Sequence, residues 1–397
     1  MKYDNPNDAL IDLGEKLHPV EIEADQTELL GRVLGQPISA DRDSPAADVS
    51  AMDGYAIRRT DLAATGPLAV CGECKPGEPP ASMPDSGVIR VFTGAIVPAD
   101  CDAVVKREDT EETESEIRLL PSTADTAQGM HIRRAGENAK RGSTVLSPGV
   151  EIHAAHRATM ANFGCSSADV FRRVRVSILT TGDEVGIFDS AQPEPWQLRN
   201  SNRDSLVALL QPPPWISITS VEHAIDDRDS LTTTLRRLLS SSDAIVMTGG
   251  VSMGDYDYVP DVIRDVGGDV VFHGLPIRPG KPVLGAATED GKLLMGLPGN
   301  PVSATIGCRR LTMPLLARLA GVNSWLPRPT VVRLNDSGEK TIPLHWMRLV
   351  RMVDHGVCVP VFSQGSGDLV SLGQSDGFVE LTPQSCGEGP WPFYGWN

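Results

Sequence analysis

The stretch DAIVMTGGVSMGDYDYVPDVIRDVG, residues 243–267, sets the architecture. DAIVMTGG is a short apolar run that stops at two glycines, the pattern of a buried strand entering a turn. YVPDVIRDVG then reads as a helix, so the stretch makes one βα unit. The turn between them poses a chemical problem. Gly249, Gly250 and Gly254 permit positive φ and close backbone approach, so N–H groups can face an anion. Yet three carboxylates, Asp255, Asp257 and Asp261, crowd the same segment. A phosphorylated ligand arriving with a divalent metal reconciles the two.

The same rhythm continues on both sides. VRVSILTTG (174–182), WISITSVEHAI (215–225) and DVVFHG (269–274) read as strands; DSLVALL (204–210) and DSLTTTLRRLLS (229–240) read as helices. Residues 173–323 are therefore expected to form a doubly wound, mainly parallel sheet. Before them, residues 1–45 read as helical. Ala9, Leu10, Leu13 and Leu17 have helical spacing, and a second helix is expected over Leu29, Leu30, Val33 and Leu34, stopped by Pro37. Residues 46–147 change texture to short β-like runs between Gly, Pro and Asp turns, with EDTEETESEIRLL (108–120) as an exposed hairpin. Helical character returns over 149–165. Residues 324–397 return to short strands, which suggests a small β-barrel or sandwich.

Composition narrows the function. The chain has 397 residues, 40% hydrophobic and 22% charged, as in a soluble multidomain protein. No apolar run is long enough to span a membrane, and the polar MKYDNPNDALIDLGEKL lacks a signal-peptide core, so a cytoplasmic location is expected. Seven unpatterned cysteines fit a reducing compartment. A formal net charge of −16 argues against nucleic acid and anionic membrane as partners. A small anionic substrate remains possible if a local positive pocket receives it.

Ligands of doubly wound sheets bind beyond the C-terminal strand ends. Three polar motifs fall there: TTGDEV (180–185), the glycine turn with Thr248 and Ser252, and GLPGNPVSA (296–304). In the last, Asn300 or Ser303 could cap the following helix, and Pro301 suits its first turn. Glu184 and Asp257 could hold Mg2+, directly or through water, against phosphate oxygens. Taken singly, each loop is equally an ordinary βα turn with solvated acids; three together in one domain favour a site. Neither a P-loop nor a strand-linked dinucleotide fingerprint is present.

At this density of motifs a family resemblance emerges. SAMDGYA (50–56), FTGAIVPADCDAVVKRE (92–108), IRRAGEN (132–138), TTGDEV, TGGVSMGDYDYV (248–259), IRPGKP (277–282), LPGNPVSA (297–304) and QGSGDLVSL (364–372) resemble, in order, the motifs of molybdopterin molybdenumtransferases and of the gephyrin E domain. The resemblance implies a homodimer with four regions per chain: a helical, elongated region from residues 1–45 and 148–172, an inserted β-rich domain at 46–147, the βα molybdopterin-binding domain at 173–323 and a C-terminal β-barrel at 324–397. It implies insertion of molybdenum from molybdate into adenylylated molybdopterin, with Mg2+ and release of AMP, and a molybdopterin adenylyltransferase as a candidate partner.

By the same resemblance, Asp53, Thr93, Glu184, Asp226 and Asp257 match the family's catalytic residues. Thr248, Gly249, Gly250, Ser252, Gly254, Pro298, Gly299, Asn300 and Ser303 match its substrate loops. Arg278 and Lys281 match its cations, and Arg348 and Ser366 its barrel residues. The site is expected between subunits, with Asp53 and Thr93 facing the other chain. Bland readings stand beside these: Asp53 and Thr93 as turn residues, Asp226 as a helix cap, Arg348 as an exposed strand residue, Ser366 as part of a flexible turn.

Three positions depart from the family pattern. Gly274 and Arg278 stand where lysines are common, and Asn138 where an acid is common. Restoring the cation with Gly274→Lys is expected to tighten molybdate binding, provided position 274 does not need positive φ. Cys71 and Cys74 form a lone C-x-x-C, His153 and His156 share a face of an expected helix, and His273 closes a strand; none carries a metal pattern. Two other functions remain open: adenylylation of molybdopterin, and non-catalytic binding or scaffolding of cofactor intermediates.

Overall fold

The computed structural model describes residues 2–186, 192–252 and 257–396, so Gly254 and Asp255 lie outside the described residues. The chain divides into two compact units. One comprises Met1–Gln36, Pro148–Arg157 and Ser167–Asn397; the other comprises Pro37–Ser147 and Ala158–Ser166.

The first unit is built on a six-stranded sheet ordered Ile216–Ala224, Val174–Thr181, Ala244–Thr248, Leu293–Leu297, Leu284–Ala287, Asp269–His273. The first four strands run parallel. Leu284–Ala287 runs antiparallel to both its neighbours, so the sheet is mixed, while the DVVFHG strand at the edge keeps the direction of the first four, as the βα rhythm expects, and pairs antiparallel with Leu284–Ala287. Its short connection through residues 274–283 leaves no room for a crossover helix, which parallel pairing would require.

Side chains alternate across this sheet. Val176, Ile178, Ala244 and Val246 join the core that includes Leu206 and Leu210 of helix Ser201–Leu210 and Leu315 and Leu316 of helix Met313–Leu319. Leu179, Ile245 and Met247 join a second core with Leu231, Leu235 and Leu238 of helix Arg228–Leu239 and Ile263 of helix Val259–Asp265. Helices thus cover both faces, which is why the strands read as continuous apolar runs.

The N-terminal helix is Pro6–Lys16, and its Leu10 and Leu13 join the first core. The second expected helix does not form. Gly31 turns the chain at φ 72°, Val33 and Leu34 bridge to Glu151 and Val170, and Leu30 is 68% exposed. Four leucine and valine positions mimicked a helical stripe, but the backbone groups of this segment are satisfied by partners distant in sequence. The expectation of a helical residue 1–45 region is corrected accordingly: Ile22–Gln26 is a strand paired with Ala168–Phe171.

The C-terminal strands close on themselves. His345–Asp354 pairs with Val357–Pro360, which pairs with Thr330–Leu334, then Trp391–Gly395, then Gly377–Leu381, and back to His345–Asp354. This is a five-stranded barrel without a free closing edge. A two-residue strand, Ile277–Arg278, adds to its outside, with Arg278 opposite Trp346. The run from Pro301 to Leu319 is helical throughout, with a π turn at Cys308–Thr312. That turn presents Arg310, 2% exposed, to Glu380 of the barrel at 2.6 Å, while His345 bonds the other Glu380 oxygen at 2.9 Å.

The second unit holds a six-stranded sheet ordered Ala103–Lys106, Gly54–Ile57, Val88–Val91, Leu68–Cys74, Glu116–Leu119, Thr110–Glu112. The last two strands form the expected acidic hairpin. Cys71 and Cys74 occupy one strand, exposed and buried respectively, and so face opposite sides. Among the described residues no helix is long and apolar enough to cross a membrane.

Candidate active site

A cavity of about 840 Å3 opens at the C-terminal ends of the parallel strands. Glu184, Asp226, Thr248, Gly249, Gly250, Ser252, Asp257, Pro298, Gly299 and Asn300 all line it. Ten residues scattered over more than a hundred positions thus meet in one place because parallel strands deliver all their following loops to the same side.

The glycine turn is dictated by space. Gly249 has φ 94°, and a Cβ there would lie 2.5 Å from Thr181 Oγ1 and 2.9 Å from the Thr181 carbonyl oxygen. No side chain fits, so the strand ends of Val174–Thr181 and Ala244–Thr248 come within backbone contact.

Asp226 settles one ambiguity. It does not cap the following helix; Asp227 does, accepting from Ser230 N–H at 2.8 Å. Asp226 is left to face the cavity beside Asp183, whose Oδ1 accepts its N–H at 3.1 Å. Partial burial pushes the Asp226 carboxyl above its ordinary value, and the carboxylates of Asp183 and Glu184 push the same way. The Thr181 hydroxyl stands near enough to oppose that shift slightly, yet it is buried without a hydrogen bond of normal geometry.

Sequence reasoning missed two residues that hold this cavity together. Asn200 caps helix Ser201–Leu210 by accepting from Arg203 N–H, and its Nδ2 donates to Thr180 Oγ1 at 2.7 Å. Asn202 Nδ2 donates to Thr248 Oγ1 at 3.1 Å and to the Gly299 carbonyl at 2.8 Å. One helix N-terminus therefore ties three strand ends. The RNSN tetrapeptide carried the capping signal, but the partners are set by tertiary contact alone. His273 is likewise tied in: its Nε2 pairs with the Val251 carbonyl at 2.7 Å.

A second cavity of about 1050 Å3 lies between the 277–282 loop and the barrel. Arg278, Lys281, Ser303, Arg348 and Ser366 line it, and Pro282, Pro298 and Asn300 line both cavities. Arg348 is half-buried, donates to the Ser337 carbonyl at 2.5 Å and stacks over Trp346 at 4.7 Å; it is not simply an exposed strand residue. Neither Asn300 nor Ser303 caps the Pro301–Gly307 helix with its side chain. Instead Val302 N–H donates to the Ser366 carbonyl at 3.0 Å, which joins the barrel loop to the helix start. Gly274 has φ 93° and its N–H donates to Val283 at 2.7 Å. A lysine there would be strained, which removes the condition on which the Gly274→Lys expectation rested.

In the second unit, Asp53 Oδ1 accepts both the Thr93 N–H and the Thr93 hydroxyl at 2.8 Å. Those two bonds hold the Asp53 carboxyl below its ordinary value. Asn138 accepts from Arg133 at 2.9 Å and lies in a different region of this unit's surface. In the first unit, His153 and His156 stack at 3.7 Å between ring centroids, with His156 Nδ1 3.0 Å from the Glu151 carbonyl; His153 precedes the helix that begins at Ala154.

The sequence profile described as MoeA N-terminal region (domain I and II) matches residues 6–164, and that described as probable molybdopterin binding domain matches residues 177–318. A protein named molybdopterin molybdenumtransferase from a Nostoc species is 31% identical over 370 residues, 88% of this chain and 82% of its own length. The chain belongs to the molybdopterin molybdenumtransferase family. The family member from Synechococcus elongatus is 35% identical over 314 residues, 76% of this chain and 77% of its own. The crystal structure of a molybdopterin biosynthesis protein of the family from Pyrococcus horikoshii covers 100% of both chains with a TM-score of 0.73 and 26% identity. This is a family of transferases, which places the paired cavities in an enzyme.

Proposed function

We propose that this chain inserts molybdenum from molybdate into adenylylated molybdopterin and releases AMP. The observation that supports this best is the pairing of an acid-lined cavity at the glycine turn with a cationic cavity across Pro282, Pro298 and Asn300. A phosphoanhydride in the first and an oxyanion in the second would lie side by side. No protein nucleophile is needed, because the chemistry is ligand exchange at molybdenum and cleavage of a phosphoanhydride.

Mg2+ is part of this reading. Among the described residues no group of three or more histidine, cysteine or carboxylate side chains could hold a metal by itself. Mg2+ binds through one or two carboxylates and completes its shell with substrate phosphates and water, a donor set that Glu184 and Asp257 on the cavity wall would offer. Glu184 and Asp257 would hold it, and the mutual repulsion of Asp183, Glu184 and Asp226 is the field a cation relieves. When bound, it supplies charge neutralisation at the phosphate oxygens. The Gly249 N–H is engaged by the Leu297 carbonyl at 3.2 Å, so the phosphate would lie against the turn beyond it, and Arg278 and Lys281 would attract molybdate.

The reading extends to the assembly. A homodimer would bring the partner's Asp53 and the partner's Thr93 to this cavity, in a four-region chain acting in the cytoplasm, with a molybdopterin adenylyltransferase supplying substrate. Light scattering should give twice the 42.5 kDa chain mass at micromolar concentration; a monomer mass would remove the shared site.

The deciding assay measures AMP release and dithiolene metallation from adenylylated molybdopterin and molybdate. Insertion requires both; formation of the adenylylated compound from ATP would favour an adenylyltransferase, and binding without turnover a scaffold. Arg278→Ala is expected to raise the half-saturating molybdate concentration more than Lys281→Ala, by about tenfold if about 1.4 kcal/mol of attraction is lost. Equal values in both variants and the wild type would put the oxyanion elsewhere.

A further inference from the structure

The barrel-side cavity holds more than an oxyanion requires. At about 1050 Å3 it is just above the range of cavities that enclose a drug-sized organic ligand, roughly 300–1,000 Å3, and so has room for one. Among the described residues its lining carries four cations, Arg278, Lys281, Lys340 and Arg348, against the single acid Asp336. It also carries two aromatic rings of different standing. Trp346 is engaged: Arg348 lies 4.7 Å and Lys340 5.7 Å from its centroid. Phe362 is not engaged. It is 85% exposed and, among the described residues, touches no other ring and no cation. A lone exposed phenylalanine would need no explanation. This one stands on the wall of a cavity whose charged groups are four cations to one acid.

We propose that Phe362 is the stacking platform for a planar heteroaromatic ring of the organic substrate, and so a specificity-determining residue; the proposal rests on the insertase reading above. The chemistry that suits this wall is a flat ring carrying a phosphate. The ring offers a π-face to Phe362 in the offset or edge-to-face geometries that aromatic pairs adopt. The phosphate satisfies the cations. Molybdate alone has no π-face and gains nothing from the ring. Because Pro282, Pro298 and Asn300 line both cavities, a two-headed substrate can keep its anhydride in the acid-lined cavity and one ring here. Adenylylated molybdopterin has two such rings, pterin and adenine.

The test uses the full-length protein with Phe362→Ala, Phe362→Leu, Phe362→Tyr and Phe362→Trp. Alanine and leucine are expected to raise KM for adenylylated molybdopterin about tenfold, with most of the loss in KM rather than kcat and no change in half-saturating molybdate; tyrosine should restore KM. An unchanged KM in the alanine variant overturns the proposal. So does full function in the leucine variant, which would mean apolar bulk rather than ring stacking. A fall in molar mass of the alanine variant by light scattering also overturns it, because Phe362 would then serve subunit contact. Tryptophan fluorescence of Phe362→Trp, taken as the difference from the wild type with its six native tryptophans, reads binding without turnover. Quenching by a pterin phosphate but not AMP assigns the pterin ring; the reverse assigns adenine; quenching by neither overturns stacking. If the wild type fails to insert molybdenum while quenching persists, the insertase reading falls and the stacking platform stands.

Discussion

Replacing Asp226 by asparagine is expected to lower AMP release by two to three orders of magnitude while leaving the thermal midpoint unchanged or raised. The two effects have one origin. Asp226 sits beside Asp183 and Glu184, and burial together with those charges raises its proton affinity. A carboxyl whose folded value lies above its unfolded one binds more protons when folded, so stability falls as pH rises from the ordinary carboxylate value through the raised one. At neutral pH the ionised form therefore works against the fold, and asparagine relieves that. On the proposed reading the same negative charge serves a phosphate-bound cation in turnover, and its removal should cost about 3–4 kcal/mol of transition-state stabilisation, a factor of about 10²–10³. The acid limb of the wild-type rate should lie above the ordinary carboxylate range and be absent in Asp226→Asn. Wild-type turnover in the variant at limiting Mg2+ would remove Asp226 from the site. Asp257→Ala is expected to abolish metal-dependent turnover in the same assay while leaving the fold intact.

Breaking the Arg310–Glu380 pair is expected to give the largest loss of stability. Burial alone would raise the Glu380 carboxyl, but hydrogen bonding from His345 and the Arg310 charge bring it down to about 2. Arg310 is 2% exposed and already has one buried nitrogen, Nη1, without a partner. Glu380→Gln leaves the guanidinium buried without its countercharge, with Asn7 Oδ1 still accepting from Nη2 at 2.9 Å, which costs about 3–5 kcal/mol. At roughly 2–4 °C per kcal/mol the thermal midpoint should fall by about 6–20 °C. The sign with pH follows from the depressed value. The contribution is complete above the unfolded carboxylate value near pH 4.5 and is lost as pH falls to about 2. Melts between pH 2 and 6 should show that acid dependence in the wild type and a flatter profile in Glu380→Gln. Coincident curves would mean that the pair is energetically neutral.

The βα half of the fold was legible because its strands, buried on both faces, leave unbroken apolar runs that end in glycine. The Leu29–Leu34 segment misled because its apolar spacing matched a helix, while Gly31 and the bridges to Glu151 and Val170 decide otherwise. Asp226 and Asp227 illustrate the limit within one dipeptide: both suit a helix start, and only the geometry shows which of them caps. Glu184, Asp257 and the glycines were readable from their places at strand ends. Asn202 was not, since nothing local links it to Gly299. The barrel-side cavity was visible only as scattered cations, because it exists where a loop from the sheet meets the barrel.

The short strand Ile277–Arg278 has a consequence for how this enzyme can change. By position in the chain it belongs among the sheet strands, yet its backbone partner is His345–Trp346 of the barrel. A chain ending at Val322 would keep Glu184, Asp226, Asp257 and the glycine turn, but would lose the partner that fixes Arg278. On the proposed reading, Arg278, assigned to the oxyanion, is thus held by a barrel strand, and the acids assigned to the anhydride by the sheet. Under that reading inheritance can act on the two separately: drift in the barrel would retune which metal oxyanion is accepted, while the anhydride chemistry would stay under its own constraint.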